Sequence, residues 1–115
     1  MNKKLNKLWV DDYWVKHIDA YSYIIVRNDL SPPMKAVQSC HATWELASKG
    51  HKHPSLVLVV VRNENKLKKV MRKLEEDKIK FEYFREPDLN NEITSLCTEP
   101  VNDIEYLKRF QLLGG

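Results

Sequence analysis

Tyr21-Ser-Tyr-Ile-Ile-Val-Arg27, followed by Asn28-Asp-Leu-Ser-Pro-Pro33, is the stretch that decides the fold of this chain. The first part is rich in β-branched and aromatic residues, which is typical of a strand covered on both faces. The Asn-Asp pair favours a turn, because short polar side chains can hydrogen-bond the local backbone. Ser31 can cap a helix, and Pro32 suits the first helical position, where its missing amide costs nothing. The stretch therefore predicts a buried strand, a tight corner and a helix that begins near Pro32.

The helix predicted from Pro32 to Lys49 has two different faces. At about 100° per residue, one face carries Val37, Cys40, Trp44 and Ala47. The other side carries Lys35, Gln38, Ala42, Glu45 and Lys49, with His41 at the border. Ligands in open α/β sheets bind beyond the carboxyl ends of the strands, so we expect Lys35 and Gln38 to stand at such a place.

Length and composition point to one small globular domain. The chain has 115 residues, a formal net charge of +3 and 30% charged residues, and no apolar run approaches the roughly 20 residues that cross a bilayer. Residues 1–20 are interpreted as an N-terminal helical extension and residues 21–115 as the domain. Cys40 and Cys97 lie in apolar periodic segments, which predicts buried, inert thiols and a cytoplasmic location without disulfides.

The rest of the chain alternates between strand and helix patterns. Strands are predicted at 55–61, 78–84 and 92–98, helices after Asn63 and from Asn102 or Asp103 through Phe110, and a turn-rich loop over residues 85–91. The order is β-α-β-α-β-β-α, which predicts an α/β fold: a three-layer α/β/α arrangement around a four-stranded mixed sheet. Two βαβ crossovers make the first three strands parallel, and the short loop before the fourth strand makes that strand antiparallel to a sheet neighbour.

Several familiar kinds of site are disfavoured. The corner over residues 28–34 contains no glycine, which argues against a dinucleotide-binding loop or a P-loop. The chain has no G-x-S-x-G elbow for an activated serine and no paired metal-binding motif, so neither a metal nor another cofactor is expected.

Polar residues at element ends offer one alternative chemistry. They are Lys35, Gln38 and His41 on the first helix, and Asp88, Asn90, Asn91 and Thr94 in and after the last loop. A carboxylate and a hydroxyl facing a Lys/Gln pair could position a water and stabilise an oxyanion, which is the minimum for hydrolysing an activated ester. Each of these residue types also has an ordinary structural role in turns, strands and helix surfaces.

Two pieces in series carry a resemblance to a known family. Ile24-Ile-Val-Arg-Asn-Asp-Leu30 and Ala36-Val-Gln-Ser-Cys-His-Ala42, with the later Asp88 and Thr94-Ser-Leu-Cys97, resemble the type II peptidyl-tRNA hydrolases of archaea and eukaryotes. The likeness runs from about Tyr21 to about Leu107. It implies a four-stranded mixed sheet between helices, cleavage of the ester that joins a peptide to the terminal ribose of tRNA, no metal, and a homodimer.

The resemblance also implies roles for individual residues. Gln38 and His41 fall on the family's helix glutamine and the histidine after it, Asp88 on its loop aspartate and Thr94 on its strand threonine. We expect Asp88, Thr94, Gln38 and Lys35 to act in catalysis, and the substrate to be bound by His41, Asn90, Asn91, Lys69 and Lys73.

The chain departs from the family at the corner before the first helix. The functional lysine of the family lands on Met34, and Lys35 lies one position later, about 100° further round a helix. These departures resemble a divergent branch, so a catalytically inactive module that binds tRNA, other RNA or protein stays open beside the hydrolase. The lysines over residues 66–80 likewise fit either a solvated helix face or an RNA-contacting one.

Overall fold

The structure is a computed structural model, and it describes residues 20–50 and 54–115. Its secondary-structure elements are β1 (Tyr21–Arg27), α1 (Pro32–Ala47), β2 (Ser55–Val61), α2 (Glu64–Glu76), β3 (Phe81–Glu86), a 3-10 turn (Pro87–Leu89), β4 (Glu92–Thr98), α3 (Glu105–Lys108) and β5 (Gln111–Leu112). The fold is mixed α/β, with three helices and one open five-stranded sheet in the part of the chain described. The helical extension predicted over residues 1–20 lies outside the described residues, apart from Ala20.

The strands lie in the order β3-β4-β1-β2-β5. β1 and β2 pair in parallel, whereas β4 runs antiparallel to both β1 and β3. Since β3 is antiparallel to β4, it runs in the same direction as β1. The predicted directions of all four strands are therefore confirmed. The prediction of only four strands is wrong, because Gln111 and Leu112 add a short antiparallel edge to β2.

Alternate residues of β1 contribute to two different cores, as the period of a strand requires. Tyr23 and Ile25 pack with buried residues of α2 and α3, including Leu67, Leu74 and Leu107. Ile24 packs instead with Ala42 and Leu46 of α1. Hence α1 lies on one face of the sheet, and α2 and α3 lie on the other.

Helix α1 begins where its sequence predicts and buries an unexpected face. The Ser31 hydroxyl accepts a hydrogen bond from the Met34 amide, and prolines occupy the first helical positions. The buried residues of the helix are Gln38, Ser39, Ala42 and Leu46. Val37 and Trp44, on the apolar stripe, are 48% and 77% exposed. The prediction that Cys40 is buried is therefore wrong, whereas Cys97 is buried as predicted.

Helix α2 ends at Glu76, and the turn that closes it takes up the first residues of the predicted third strand. Lys78 has a positive φ of 59°, and the amide of Ile79 donates to the carbonyl of Leu74 over 2.9 Å. These two residues close the C-terminus of α2, so β3 begins at Phe81 rather than at Lys78. The last helix is shorter than predicted and covers only Glu105–Lys108.

None of the helices in the described ranges is long and apolar enough to span a membrane.

Candidate active site

The side chain of Gln38 is the centre of a buried polar network between α1, β3 and β4. Its Nε2 donates to Glu86 Oε1 over 2.5 Å, and its Oε1 accepts a hydrogen bond from Thr94 Oγ1 over 2.5 Å. Gln38 and Thr94 are both fully buried. The amide of Gln38 thus has a partner on each side, and neither group faces solvent.

A further hydrogen bond joins the backbone of α1 to β4. Ser95 Oγ donates to the carbonyl of Gln38 over 2.6 Å, at the turn of α1 that carries the buried amide. Ser95 and Thr94 are adjacent in β4 and are both inaccessible to solvent. This pair of contacts sets the depth and rotation of α1 against the sheet, because a shift would leave buried polar atoms without partners.

Glu86 links this network to the turn that carries Asp88. Glu86 Oε2 accepts a hydrogen bond from the backbone amide of Asp88 over 3.2 Å, as the N-cap of the 3-10 turn. The hydrogen bonds from Gln38 and from that amide hold the pKa of the Glu86 carboxyl below its usual value, and the nearby His41 adds to the effect. The side chain of Asp88 itself is exposed. Gln38 and Asp88 therefore belong to one local site, with an ionised Glu86 between them.

His41 lies one helical turn after Gln38 and stacks on a β3 side chain. Its ring and that of Phe84 are 4.0 Å apart between centroids and nearly parallel, at 7°. Both residues are half-buried. The stack extends the site along α1 and offers a flat edge on which a base or another planar group could pack.

Lys35 is held at the corner between β1 and α1. Its Nζ donates to Asn28 Oδ1 over 2.9 Å, and its carbonyl accepts a hydrogen bond from the Ser39 hydroxyl over 2.7 Å. The ammonium group thus points along the end of β1. No direct contact joins it to Glu86 or Thr94 among the described residues.

Asn90 and Asn91 shape the turn between the 3-10 turn and β4. Their φ angles are 54° and 59°, a left-handed conformation that asparagine tolerates better than most residues. The amide of Asn91 donates to the carbonyl of Glu86 over 3.0 Å, and its carbonyl accepts from Arg85 Nη1 over 3.0 Å. The left-handed backbone of this turn accounts for the presence of asparagine at both positions. The two side chains are exposed and could contact a ligand beside Asp88.

Lys69 and Lys73 lie on the other face of the sheet from Gln38, because they belong to α2. They line a cleft of about 490 Å³ with Lys66, Tyr106, Arg109 and Phe110. The ammonium of Lys73 lies 5.5 Å from the centre of the Tyr106 ring and 3.6 Å from an Asp77 oxygen. The structure does not bring these lysines to the network around Gln38.

Sequence reasoning missed two acidic residues that organise the site, Glu86 and Glu92. Arg27, only 7% exposed, pairs with Asp29 through two 3.0 Å bonds and with Glu92 Oε1 over 2.7 Å. Its Nη1 also donates to the carbonyl of Ile93 over 3.3 Å. The acidic partners raise the pKa of the guanidinium well above its usual value. The Arg-x-Asp spacing at the end of a buried strand was the signal that could have indicated this cluster.

The Arg27 cluster holds the corner before α1 against the start of β4. In consequence Asp29, Lys35 and the strand that carries Thr94 are fixed relative to one another. Among residues 20–50 and 54–115, no group of three or more His, Cys, Asp or Glu side chains is placed to bind a metal ion.

The chemistry available here is that of one exposed carboxylate, Asp88, on a turn that is hydrogen-bonded to Glu86. Asp88 can orient a water or a hydroxyl through hydrogen bonds, and His41 stands beside the same network. Gln38 and Thr94, predicted to act in catalysis, are too deeply buried to touch a substrate in this conformation. In the structure, Gln38 hydrogen-bonds Glu86, and Thr94 hydrogen-bonds Gln38.

Comparisons with known proteins identify a shared fold. No family model matches this chain, and no curated protein matches it. A solved structure, that of the protein of unknown function Atu0240 from Agrobacterium tumefaciens strain C58, is similar with a TM-score of 0.64 at 12% sequence identity. The match covers 82% of this chain and 97% of that one. At this identity the likeness establishes a shared fold alone.

Proposed function

We propose that this protein hydrolyses the ester bond of peptidyl-tRNA, releasing a peptide and free tRNA. The resemblance of two sequence pieces to the type II peptidyl-tRNA hydrolases motivates the proposal. The observation that carries it is the chain of hydrogen bonds from Thr94 through Gln38 and Glu86 to the Asp88 amide. Residues more than fifty positions apart thereby support one exposed carboxylate. We also propose that the fold is the family's three-layer arrangement around a four-stranded sheet, to which this chain adds strand β5.

In this proposal Asp88 is the catalytic residue. Its carboxylate accepts a proton from a water that attacks the ester carbonyl, directly or through a hydrogen bond to the neighbouring ribose hydroxyl. The C–O bond to the ribose then breaks and the leaving ribose oxygen takes up a proton, so that peptide and tRNA separate. General base catalysis requires the water to lie within hydrogen-bond reach. Gln38, Thr94 and Glu86 act as positioning residues, because their polar atoms bond to one another rather than to solvent. The backbone amide of Asp88 is bonded to Glu86, and in this proposal that anchor preorganises the turn, which lowers the barrier to reaction.

The tRNA end meets the site along α1. The His41–Phe84 stack supplies a flat surface for a terminal base, and Asn90 and Asn91 supply amide groups next to Asp88. Lys35 lies at the corner, where its positive charge can meet a phosphate. Lys69 and Lys73, on the opposite face of the sheet, contribute only by a contact with a more distant part of the tRNA.

The test of the hydrolase proposal is cleavage of purified peptidyl-tRNA by the Asp88→Asn variant. We expect a loss of about 100-fold or more in the cleavage rate, the usual contribution of a general base. Asp103→Asn is the matched control, since Asp103 is an exposed aspartate in the chain segment before α3 and forms an ion pair with Lys108. Equal rates for Asp88→Asn and the unaltered chain would remove the assignment.

A binding module without catalysis is the second candidate, and two observations favour it. Met34 stands where the family carries its functional lysine, and the amide of Gln38 is wholly engaged inside the protein. Such a module would bind tRNA with an affinity that falls steeply with salt and would leave the ester intact. Binding without cleavage by the unaltered chain would establish this candidate in place of the hydrolase.

A further inference from the structure

The sheet face that carries α1 is only partly covered. Helix α1 packs over β1, β3 and β4, so the same face of β2 lies beside the helix rather than under it. Leu56 there is 44% exposed, and Leu58 is only partly buried. No other described helix lies on this face, because α2 and α3 pack on the opposite one. Among the residues described, no helix therefore covers the part of this sheet face that carries Leu56 and Leu58.

The outer side of α1 continues this uncovered surface. Cys40, Trp44 and Ala47 of the helix face Leu56 and Leu58 across a groove of about 860 Å³, which Leu113 also lines. The lining is almost entirely apolar, and Trp44 is 77% exposed. Apolar surface of this extent on a small domain commonly marks a place where another segment or molecule packs.

Position favours the chain's own N-terminal segment as the occupant. Nineteen residues precede Ala20, and Ala20 itself is only 2% exposed. In the register of β1 and β2, Ser22 is the partner of Leu56, so the chain enters β1 beside the groove. Ser48, just after the end of α1, lines the same end. A segment that leads into Ala20 can reach the groove without crossing the sheet.

The size and chemistry of this segment also fit. Leu5, Leu8 and Trp9 have the i, i+3, i+4 spacing of one helix face, and Tyr13 and Trp14 add aromatic area. A helix over residues 5–18 would be roughly 21 Å long at 1.5 Å per residue. The seven residues of β2 span roughly 23 Å at 3.3 Å per residue. One helix of this length would cover β2 along its whole length.

We propose that residues 1–19 of the same chain pack in the groove between α1 and β2 and complete the apolar layer on this face of the sheet. Trp9 and neighbouring apolar side chains bury Leu56, Leu58 and the outer face of Trp44. The site around Gln38 and Asp88 stays open, because it lies on the β3–β4 side of α1. This inference is independent of the proposed hydrolase activity.

The two cysteines of the described chain make the test direct. Cys40 lines the groove and is exposed without a cover, whereas Cys97 is fully buried. We expect Cys40 of the full chain to react slowly with iodoacetamide. The Leu8→Asp/Trp9→Asp variant should raise the rate at Cys40 by about tenfold or more, a change of about 1.4 kcal/mol in the closing equilibrium. The charge-matched Asn2→Asp/Asn6→Asp variant should leave the rate unchanged.

Slow reaction at Cys97 in every sample shows that the domain is folded. If Cys40 reacts at one rate in all three chains, the segment does not cover the groove. If protection of Cys40 increases with protein concentration, the groove is covered by a second copy and the proposal is wrong. Should the Asp variant unfold, NMR on the unaltered chain decides. Cross-relaxation between the Trp9 or Trp14 indole and the Leu56 or Leu58 methyl groups supports the proposal, and its absence overturns it.

Discussion

The replacement Thr94→Val tests the buried network most simply. Valine has nearly the shape of threonine, but it lacks the hydroxyl that donates to Gln38 Oε1 over 2.5 Å. Both side chains are fully buried, so water cannot replace the lost donor. An unsatisfied buried acceptor costs about 1–3 kcal/mol, and we therefore expect the free energy of unfolding to fall by about 2 kcal/mol. The total free energy of unfolding of a chain of 115 residues is roughly 6–17 kcal/mol, so the variant still folds.

The assay is urea unfolding followed by circular dichroism, with Thr94→Ser as the matched control. Serine keeps the hydroxyl and loses one methyl group, which costs about 1 kcal/mol. In a Gln38→Leu background the acceptor is already gone, so adding Thr94→Val should cost less than it does in the unaltered chain. A free energy of unfolding for Thr94→Val within about 0.5 kcal/mol of that of the unaltered chain, the range of an ordinary surface change, would show that the Thr94 hydroxyl does not satisfy a buried acceptor.

Three other predictions follow from charges and burial. The folded-state pKa of Glu86 lies below its usual value of 4.5, so its ionised form stabilises the fold above that pH. This contribution is lost as the pH falls through the folded-state pKa. Between about pH 6 and pH 3, the free energy of unfolding measured in urea should therefore fall less for Glu86→Gln than for the unaltered chain. Arg27→Met should lower the free energy of unfolding by about 2 kcal/mol, which is less than the loss of a fully buried ion pair because water screens the partly exposed partners of Arg27. Arg72→Met, at an exposed arginine, is the control. Equal effects of the two substitutions would contradict the structure. Burial raises the pKa of the Cys97 thiol to about 12, so at about pH 8 Cys97 should be alkylated only when the protein unfolds, and rapid native-state reaction there would contradict its placement.

The order of elements could be predicted from the sequence because it depends on local signals. Ser31 and Asn63 cap α1 and α2 as predicted, each side chain accepting a backbone amide of the first turn. The bounds of β2 and β4 coincide with the predicted strands. In each case, the decisive residues lie within a few positions of the element that they define.

The buried face of α1 could not be predicted in this way. The helical period correctly grouped Val37, Cys40 and Trp44 on one stripe, but the helix buries the side that carries Gln38 and leaves this stripe exposed. The reason lies far along the chain, since the partners of Gln38 are 48 and 56 positions away. Only the assembled sheet supplies the carboxylate and the hydroxyl that make burial of a glutamine favourable.

The candidate site was likewise only partly predictable. Asp88, Thr94 and Gln38 entered through a family resemblance, and the structure brings them together through Glu86, a residue with no sequence signal of its own. Lys69 was grouped with them on its charge alone, and charge does not indicate on which face of the sheet a residue lies. Strand β5 was missed because a strand of two residues has too little pattern to be distinguished from a turn.

The proposed function places cleavage of peptidyl-tRNA at the exposed Asp88, next to the Gln38–Glu86 network. The most direct measurement is the fate of labelled peptidyl-tRNA mixed with an excess of the protein, followed through a single turnover for the unaltered chain and for Asp88→Asn. We predict that the unaltered chain releases the peptide, and that Asp88→Asn binds the same tRNA but releases peptide about 100-fold more slowly or not at all. Release at equal rates would exclude Asp88 as the catalytic residue, and binding by the unaltered chain with the ester left intact would exclude the hydrolase.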